Sequence, residues 1–406
     1  MATRKLLTNG NAFKRTDGRW GGTVWFMDES GERKRKSFSG TTKQEVNKKM
    51  TAYIENFNNE VETSIEANKT LRESMQNWLQ VFKFPSVERT TYDRYECTAI
   101  NQIYPLIGNK IVGNITAADI KKVLNHWMNE GYAYTTVKKV HVILGDYFKY
   151  LTQQELIPRN PMLFAPMIKK SNFYAIQEKE NLPTNETVTI FTAEEIELLK
   201  AEAAKAYATG KKLYLQADAY ILMLNTGLRA GEMLGVINSD IDLENRVIHL
   251  QRGVKVVNKR NGTELIDGST EIKIGKLKSA TSKRDVPLND TAVRMIEQLR
   301  AEYYFGESSP IVCDEKGGYT KPEVFRRRHH RLLEGAGIES KGLHSLRHTF
   351  ATNLVNGIKQ PDGTVKALTV KQVADLLGHS TTQVTEMYYV KKDTSMLNGI
   401  TNDFCL

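Results

Sequence analysis

Cysteine is scarce in this chain. Cys97, Cys313 and Cys405 are the three it has, far apart and odd in number, so neither a disulfide framework nor a cysteine zinc site is expected, and a reducing cytoplasm fits. No run of eighteen apolar residues occurs, which leaves no candidate for a membrane-spanning helix and no membrane partner to expect. The first thirty residues carry Arg and Lys but no apolar stretch of signal-peptide length, so export is not expected. A G-x-x-x-x-G-K-[ST] loop is missing, as is a strand-bound G-x-G-x-x-G, and nucleotide hydrolysis has no support. Internal repeats and low-complexity tracts are absent as well.

What the chain does have is length and positive charge. Its 406 residues are 40% hydrophobic and 26% charged, the balance of a globular protein with two or three domains. Lys and Arg outnumber Asp and Glu by 57 to 47, and the excess is concentrated at the front, where residues 1–50 hold twelve cations against five anions. A basic segment ahead of a less charged body points to a polyanion, most often nucleic acid; a solvated basic tail is the bland alternative.

That front segment is patterned. Trp20, Val24, Trp25 and Phe26 lie in a β-favouring run, Asp28-Glu29-Ser30-Gly31 reads as a turn, and Arg33 to Phe38 can return as a second, cationic strand. Thr42-x-x-Glu45 then opens a helix, with Val46, Met50, Tyr53, Ile54, Phe57 and Val61 at helical spacing. Residues 60–70 are polar and read as a linker. Four apolar stripes follow: Leu71 to Phe82, Tyr92 to Tyr104, Ile120 to Met128 behind Thr116-x-x-Asp119, and Val137 to Leu151, before Pro158 and Pro161. They predict a compact four- to five-helix domain with its aromatics in the core. Beyond a polar connection, Thr192-x-x-Glu195 opens a mixed domain. Helices are expected near 192–208, 212–226, 228–236, 289–304, 321–336, 344–356, 369–378 and 380–390, with strands between 239 and 287.

Several charged motifs fall in this last domain. In Thr226-Gly227-Leu228-Arg229-Ala230-Gly231-Glu232, Gly227 breaks one helix and Arg229 begins the next, where a guanidinium and free backbone N–H groups can meet a phosphate. Glu271 to Ile274 and Asp285 to Leu288 flank a Lys-, Ser- and Thr-rich tip that includes Lys278, and read as one hairpin. A lysine there can act as a general acid. His344-Ser345-Leu346-Arg347-His348 leads into a helix and sets His344 and Arg347 on one face. His344 and His348 lie four apart, but no Glu follows His344 and further ligands are lacking, so a zinc reading is weak. Gly378-His379 ends another helix, and Tyr388 and Tyr389 follow nine and ten residues later.

No single motif is decisive; their order is. An Arg, a hairpin Lys, His-x-x-Arg, Gly-His and a late Tyr together resemble the tyrosine recombinase, or phage integrase, family over about residues 190–395. The resemblance implies a multidomain α+β fold. Residues 1–65 would be a small three-stranded sheet plus helix that binds arm-type DNA, 66–168 an all-α core-binding domain, 169–190 a linker, and 191–406 a mixed, mainly α catalytic domain.

By the same resemblance Arg229 and Arg347 would clamp the non-bridging oxygens of the scissile phosphate, a task suited to a charge that never titrates and a bidentate fork. Lys278 would donate a proton to the departing 5′-oxygen, with Lys276 and Lys283 as substitutes. His344 and His379 would hydrogen-bond the phosphate and assist proton transfer. Tyr388 would be the nucleophile that forms a 3′-phosphotyrosyl bond, with Tyr389 its rival; Glu232 would orient Arg229. No cofactor, metal or nucleotide is then needed. The implied partners are double-stranded DNA at core and arm sites, three further copies in a tetramer on DNA joined through the apolar tail beyond Tyr389, a DNA-bending host protein and a directionality factor. Integration and excision of a mobile element is the expected function. A type IB topoisomerase and a non-catalytic DNA-binding regulator are the alternatives. The basic run Arg326-Arg327-Arg328-His329-His330-Arg331 reads either as a helix along the DNA backbone or as a solvated face.

Overall fold

The computed structural model describes residues 5–28, 31–179, 189–276, 283–359, 364–379 and 381–382. The chain divides into two compact units, Met1–Asn185 and Glu186–Leu406.

The first unit opens with an antiparallel sheet of β1 (Lys5–Leu6), β2 (Ala12–Lys14), β3 (Trp20–Met27) and β4 (Arg33–Gly40). β4 pairs along the whole of β3, with Val24 opposite Lys36 and Trp25 opposite Arg35. The short β1 and β2 share the other edge, at Phe26–Met27 and Trp20–Gly22. Four strands are therefore present among the described residues where the family resemblance implies three, although the sheet is three strands wide.

Strand alternation sorts the side chains. Trp20, Val24 and Phe38 pack on α1 (Lys43–Asn68) with Val46, Met50 and Tyr53, and Phe26 meets Phe57 at a ring separation of 5.3 Å. The other face carries Trp25, with the Arg33 guanidinium 4.5 Å and that of Arg35 5.9 Å from its ring centre. The Thr42 hydroxyl accepts from the Glu45 amide, while the Glu45 carboxylate turns to Thr41 instead of closing the box on Thr42. The helix continues to Asn68, so the polar stretch from 60 is helical and not a linker. The run from 58 to 68 is polar but contains neither Gly nor Pro, and polarity alone does not stop a helix.

The helical stripes fold as α2 (Leu71–Trp78), α3 (Arg89–Thr98), α4 (Tyr104–Ile107), α5 (Ala117–Asn129) and α6 (Tyr134–Gln153). Full capping boxes start α2 at Thr70 and Glu73, and α5 at Thr116 and Asp119. Trp78, Tyr92, Ile103, Ile120, Tyr147 and Phe148 lie in one buried core; Phe82 stays exposed. Residues 170–179, expected in a connection, form α7 (Lys170–Lys179). It buries Phe173 in the same core, and Gln177 donates to the Tyr132 carbonyl at 2.9 Å.

The second unit contains α8 (Ala193–Ala203), α9 (Asp218–Thr226), α10 (Ala230–Met233), β5 (Ile241–Asp242), β6 (Val247–Leu250), β7 (Arg252–Asn261), β8 (Glu264–Lys276), β9 (Arg284–Pro287), α11 (Asp290–Glu302), α12 (Pro322–Gly335), α13 (Leu343–Asn356), β10 (Ile358–Lys359), β11 (Val365–Lys366) and α14 (Val370–Leu377). α9 is apolar all round and runs through the core, where Tyr220, Leu222 and Met223 meet Ile296, Leu299, Phe325 and Leu346. Its start at Asp218 is later than the 212 expected from spacing. The helix expected near 380–390 lies almost wholly outside the described residues. No helix among the described residues is long and apolar enough to cross a membrane.

The strands overturn one expectation. Glu271 to Ile274 and Asp285 to Leu288 do not pair. β8 pairs with β7, placing Glu271 opposite Val257 and Ile274 opposite Val254. β9 joins β6 in a separate sheet, with Val286 opposite Ile248. The hairpin is β7–β8, closed at Gly262, and β8 and β9 belong to two different sheets; the lysine-bearing segment 277–282 lies outside the described residues. Both partnerships have the same alternating pattern, and pattern alone does not say which strand receives it.

Candidate active site

Arg229 is the residue immediately before α10. α9 ends at Gly227, whose φ of +64° is left-handed. A Cβ there would stand 2.5 Å from Phe350 Cδ1, so both backbone and space require glycine. The reversal brings Arg229 back beside its own helix, where the Glu232 carboxylate accepts from the Arg229 amide at 2.9 Å and from its Nη1 at 2.7 Å. The Arg229 side chain keeps 39% of its surface exposed.

Arg347 projects from the middle of α13 and is 1% exposed. Nη1 donates to the Gly227 carbonyl and Nη2 to the Leu377 carbonyl, both at 2.7 Å. Nη1 also lies 3.9 Å from Glu232 Oε2. The Leu377 carbonyl belongs to the last turn of α14, closed by left-handed Gly378. Carbonyls in a last helical turn have no partner within the helix and carry the negative end of its dipole, so a guanidinium is a strong ligand for them. That bond carries His379, two residues on, to 3.0 Å from Arg347 Nη2 through its Nε2.

A third arginine enters from β9. Arg284 Nε donates to the Leu376 carbonyl at 2.7 Å, and Nη2 meets Glu232 Oε2 at 3.1 Å. Motif reading missed it. Its signal was the alternation of Arg284 with Val286, which places both on the inward face of an edge strand. Glu232 is thus surrounded by three guanidiniums. Burial pushes its carboxyl up, but Arg284 and then Arg229 more than offset that and hold it below the usual range.

The histidines are tuned by the same cations. Burial, with Arg347, Arg229 and Arg284 behind it, lowers His379 to about 4. His344, in the first turn of α13, is open to solvent on one side. Surrounding protein atoms and then His348, Arg347 and Arg229 lower it from the ordinary imidazole value. His348 packs edge-on against His344 at 4.4 Å and is lowered too, by burial and Arg347. Both candidate histidines are therefore neutral near pH 7. No group of three His, Cys, Asp or Glu among the described residues has metal-holding geometry.

Arg229, Arg347, His344 and His379 thus gather around Glu232. Lys278, Tyr388 and Tyr389 lie outside the described residues, as does the tail beyond them. Of the substitute lysines, Lys283 is exposed on the segment entering β9 and Lys276 ends β8. The α12 run divides. Arg326, Arg327, His330 and Arg331 are exposed, Arg328 donates to Gln216 Oε1 at 3.0 Å, and His329 is buried under Tyr220. What the cluster offers chemically is a concentration of fixed positive charge and neutral imidazoles, the equipment to stabilise charge growing on a phosphoryl group.

The model of the phage integrase family matches residues 189–396, and that of the phage integrase N-terminal SAM-like domain matches residues 70–128. A tyrosine recombinase XerC-like protein of Caldanaerobacter subterraneus subsp. tengcongensis is 27% identical over 380 residues, 89% of each chain. The transposase from transposon Tn916 of Enterococcus faecalis is 25% identical over 299 residues, 70% of this chain and 65% of the transposase. Among solved structures, the Tn1549 transposon integrase in complex with a circular intermediate DNA matches with a TM-score of 0.62 at 18% identity, over 83% of this chain and 99% of that one. A lambda integrase dimer bound to a core site matches at 0.57 and 16%, over 94% and 95%. These two structural likenesses concern the fold.

Proposed function

The chain belongs to the phage integrase family and is a tyrosine-type site-specific recombinase, and we propose that it integrates and excises a mobile DNA element through a 3′-phosphotyrosyl intermediate. The observation that carries this is the convergence of Arg229, Arg347, His344 and His379 around one buried carboxylate, from three separate stretches of sequence.

In this reading the Tyr388 phenol oxygen attacks the scissile phosphorus. His344, neutral and solvent-open, accepts the phenol proton. Arg229 and Arg347 stabilise the two negative charges that gather on the non-bridging oxygens. The bond from phosphorus to the 5′-oxygen breaks as Lys278 protonates that oxygen. A 5′-hydroxyl from a partner strand then reverses the chemistry, so the phosphodiester is restored with no nucleotide cofactor. The sheet face bearing Trp25, Arg33 and Arg35 grips arm-site DNA, and the helical domain and second unit hold the core site. Linking two grips raises affinity through effective concentration. Four copies assemble on DNA through the tail beyond Tyr389, assisted by a DNA-bending host protein and a directionality factor.

A plasmid carrying both ends of the element that encodes this chain tests the reading. Incubation with the protein is expected to release a circle and a rejoined plasmid. Relaxation of a plasmid without those ends, with no circle formed, would instead favour the topoisomerase alternative, and binding without cleavage a regulator.

A further inference from the structure

Three guanidiniums approach Glu232, and they are not equivalent. Arg229 touches the carboxylate with one arm and leaves over a third of its side chain open. Arg284 is 8% exposed and directs every arm inward. Its Nη1 and Nη2 straddle the two Glu232 oxygens at 3.4 and 3.1 Å, and its Nε holds the Leu376 carbonyl at 2.7 Å. Its fork is spent on the Glu232 carboxylate itself, whereas the Arg347 fork holds backbone carbonyls and His379. A buried carboxylate needs a counter-charge; without Arg284, Glu232 would draw on Arg229 and Arg347, the two cations required elsewhere.

We propose that Arg284 is a positioning residue for strand cleavage: it neutralises Glu232, so that Glu232 can orient Arg229 without consuming the positive charge that Arg229 presents to the scissile phosphate. The assignment rests on the recombinase reading. Three cations against one carboxylate leave two net positive charges, which match the two negative charges of the pentavalent transition state. Arg284 also ties β9 to the end of α14, and so joins the strand that follows the lysine segment to the turn that presents His379. Consistent with this role, Arg284 is the strongest influence lowering Glu232.

The test is single-turnover covalent-adduct formation on a nicked half-site duplex cut from an end of the encoding element, with duplex affinity and melting temperature measured in parallel. Arg284→Met is expected to slow adduct formation on the order of a hundredfold, with affinity within about threefold of the parent and Arg284→Lys retaining a tenth or more of the rate. The decisive arm is Arg284→Met combined with Glu232→Gln. Removing the stranded carboxylate is expected to recover about tenfold over Arg284→Met alone, which a purely structural role for Arg284 would not produce. Rates within threefold of the parent for Arg284→Met, no recovery in the double variant, or a loss confined to affinity would each overturn the assignment. If Arg284→Met does not fold, Arg284→Gln is read in its place. A parent protein that binds the duplex but forms no adduct overturns the recombinase reading, and the assignment with it.

Discussion

Arg347 Nη2 lies 3.0 Å from His379 Nε2, and the contact fixes where the imidazole carries its proton. Arginine can only donate, so Nε2 must accept. The ring is then neutral with its hydrogen on Nδ1, in agreement with a pKa lowered to about 4. Arg347 thus both stabilises phosphate charge in the proposed reaction and orients a second donor toward it.

His379→Leu removes the acceptor for Arg347 and the donor on Nδ1 together. Adduct formation on the nicked duplex is expected to fall about a hundredfold or more, with DNA affinity little changed. A variant as fast as the parent would remove His379 from the mechanism.

Gly227→Ala forces a Cβ onto left-handed backbone and to 2.5 Å from Phe350 Cδ1. Strain and overpacking together are expected to cost about 2–4 kcal/mol, read as a lower midpoint in urea unfolding. Because the Gly227 carbonyl also holds Arg347, the folded fraction should cleave more slowly as well.

Both glycine turns and most of the fold were legible in the sequence, because each has a local cause. Gly227 and Gly378 end α9 and α14, Thr116 and Thr192 cap α5 and α8, and the Val137 to Leu151 stripe is buried as its spacing requires. The four candidate residues that the structure describes were picked out by order and spacing, and the structure brings them together. Polar composition hid the end of α1 and all of α7; what else escaped was non-local. The partner of β8 is β7, not β9, and two strands with suitable alternation do not declare their register. Arg284 was hidden for a related reason. Its neighbours Glu232 and Leu376 are 52 and 92 residues away, so it reads in sequence as one more basic residue in a lysine-rich segment.

His329 gives the protein a defined acid sensitivity. Its ring is fully buried, neither nitrogen has a hydrogen-bond partner among the described residues, and burial followed by His330 lowers it from 6.5 to about 4. Between those values the unfolded chain binds a proton that the folded chain refuses, so stability is complete above pH 6.5 and falls as pH drops toward 4. His329→Leu removes this contribution and the unsatisfied nitrogens. Thermal unfolding is expected to show a shallower decline of Tm between pH 6.5 and 4.5, with Tm at pH 7 unchanged or raised. An equally steep decline would place the sensitivity elsewhere.

Arg33 and Arg35 stack on Trp25 on the sheet face away from α1. If that face follows arm-site phosphates, replacing both by Ala should weaken arm-duplex binding and reduce the slope of log K against log salt by about 2. An unchanged slope would mean that the two arginines only guard a sheet edge.

The most direct measurement of the central claim is to trap the covalent complex on a nicked duplex and locate the nucleotide by peptide mass spectrometry. The account expects the adduct on Tyr388, formed by the parent and by Tyr389→Phe, abolished by Tyr388→Phe, and slowed at least a hundredfold when Arg347 is replaced by Ala. An adduct on Tyr389 would move the nucleophile by one residue. No adduct on either tyrosine, or full-rate formation without Arg347, would contradict the account.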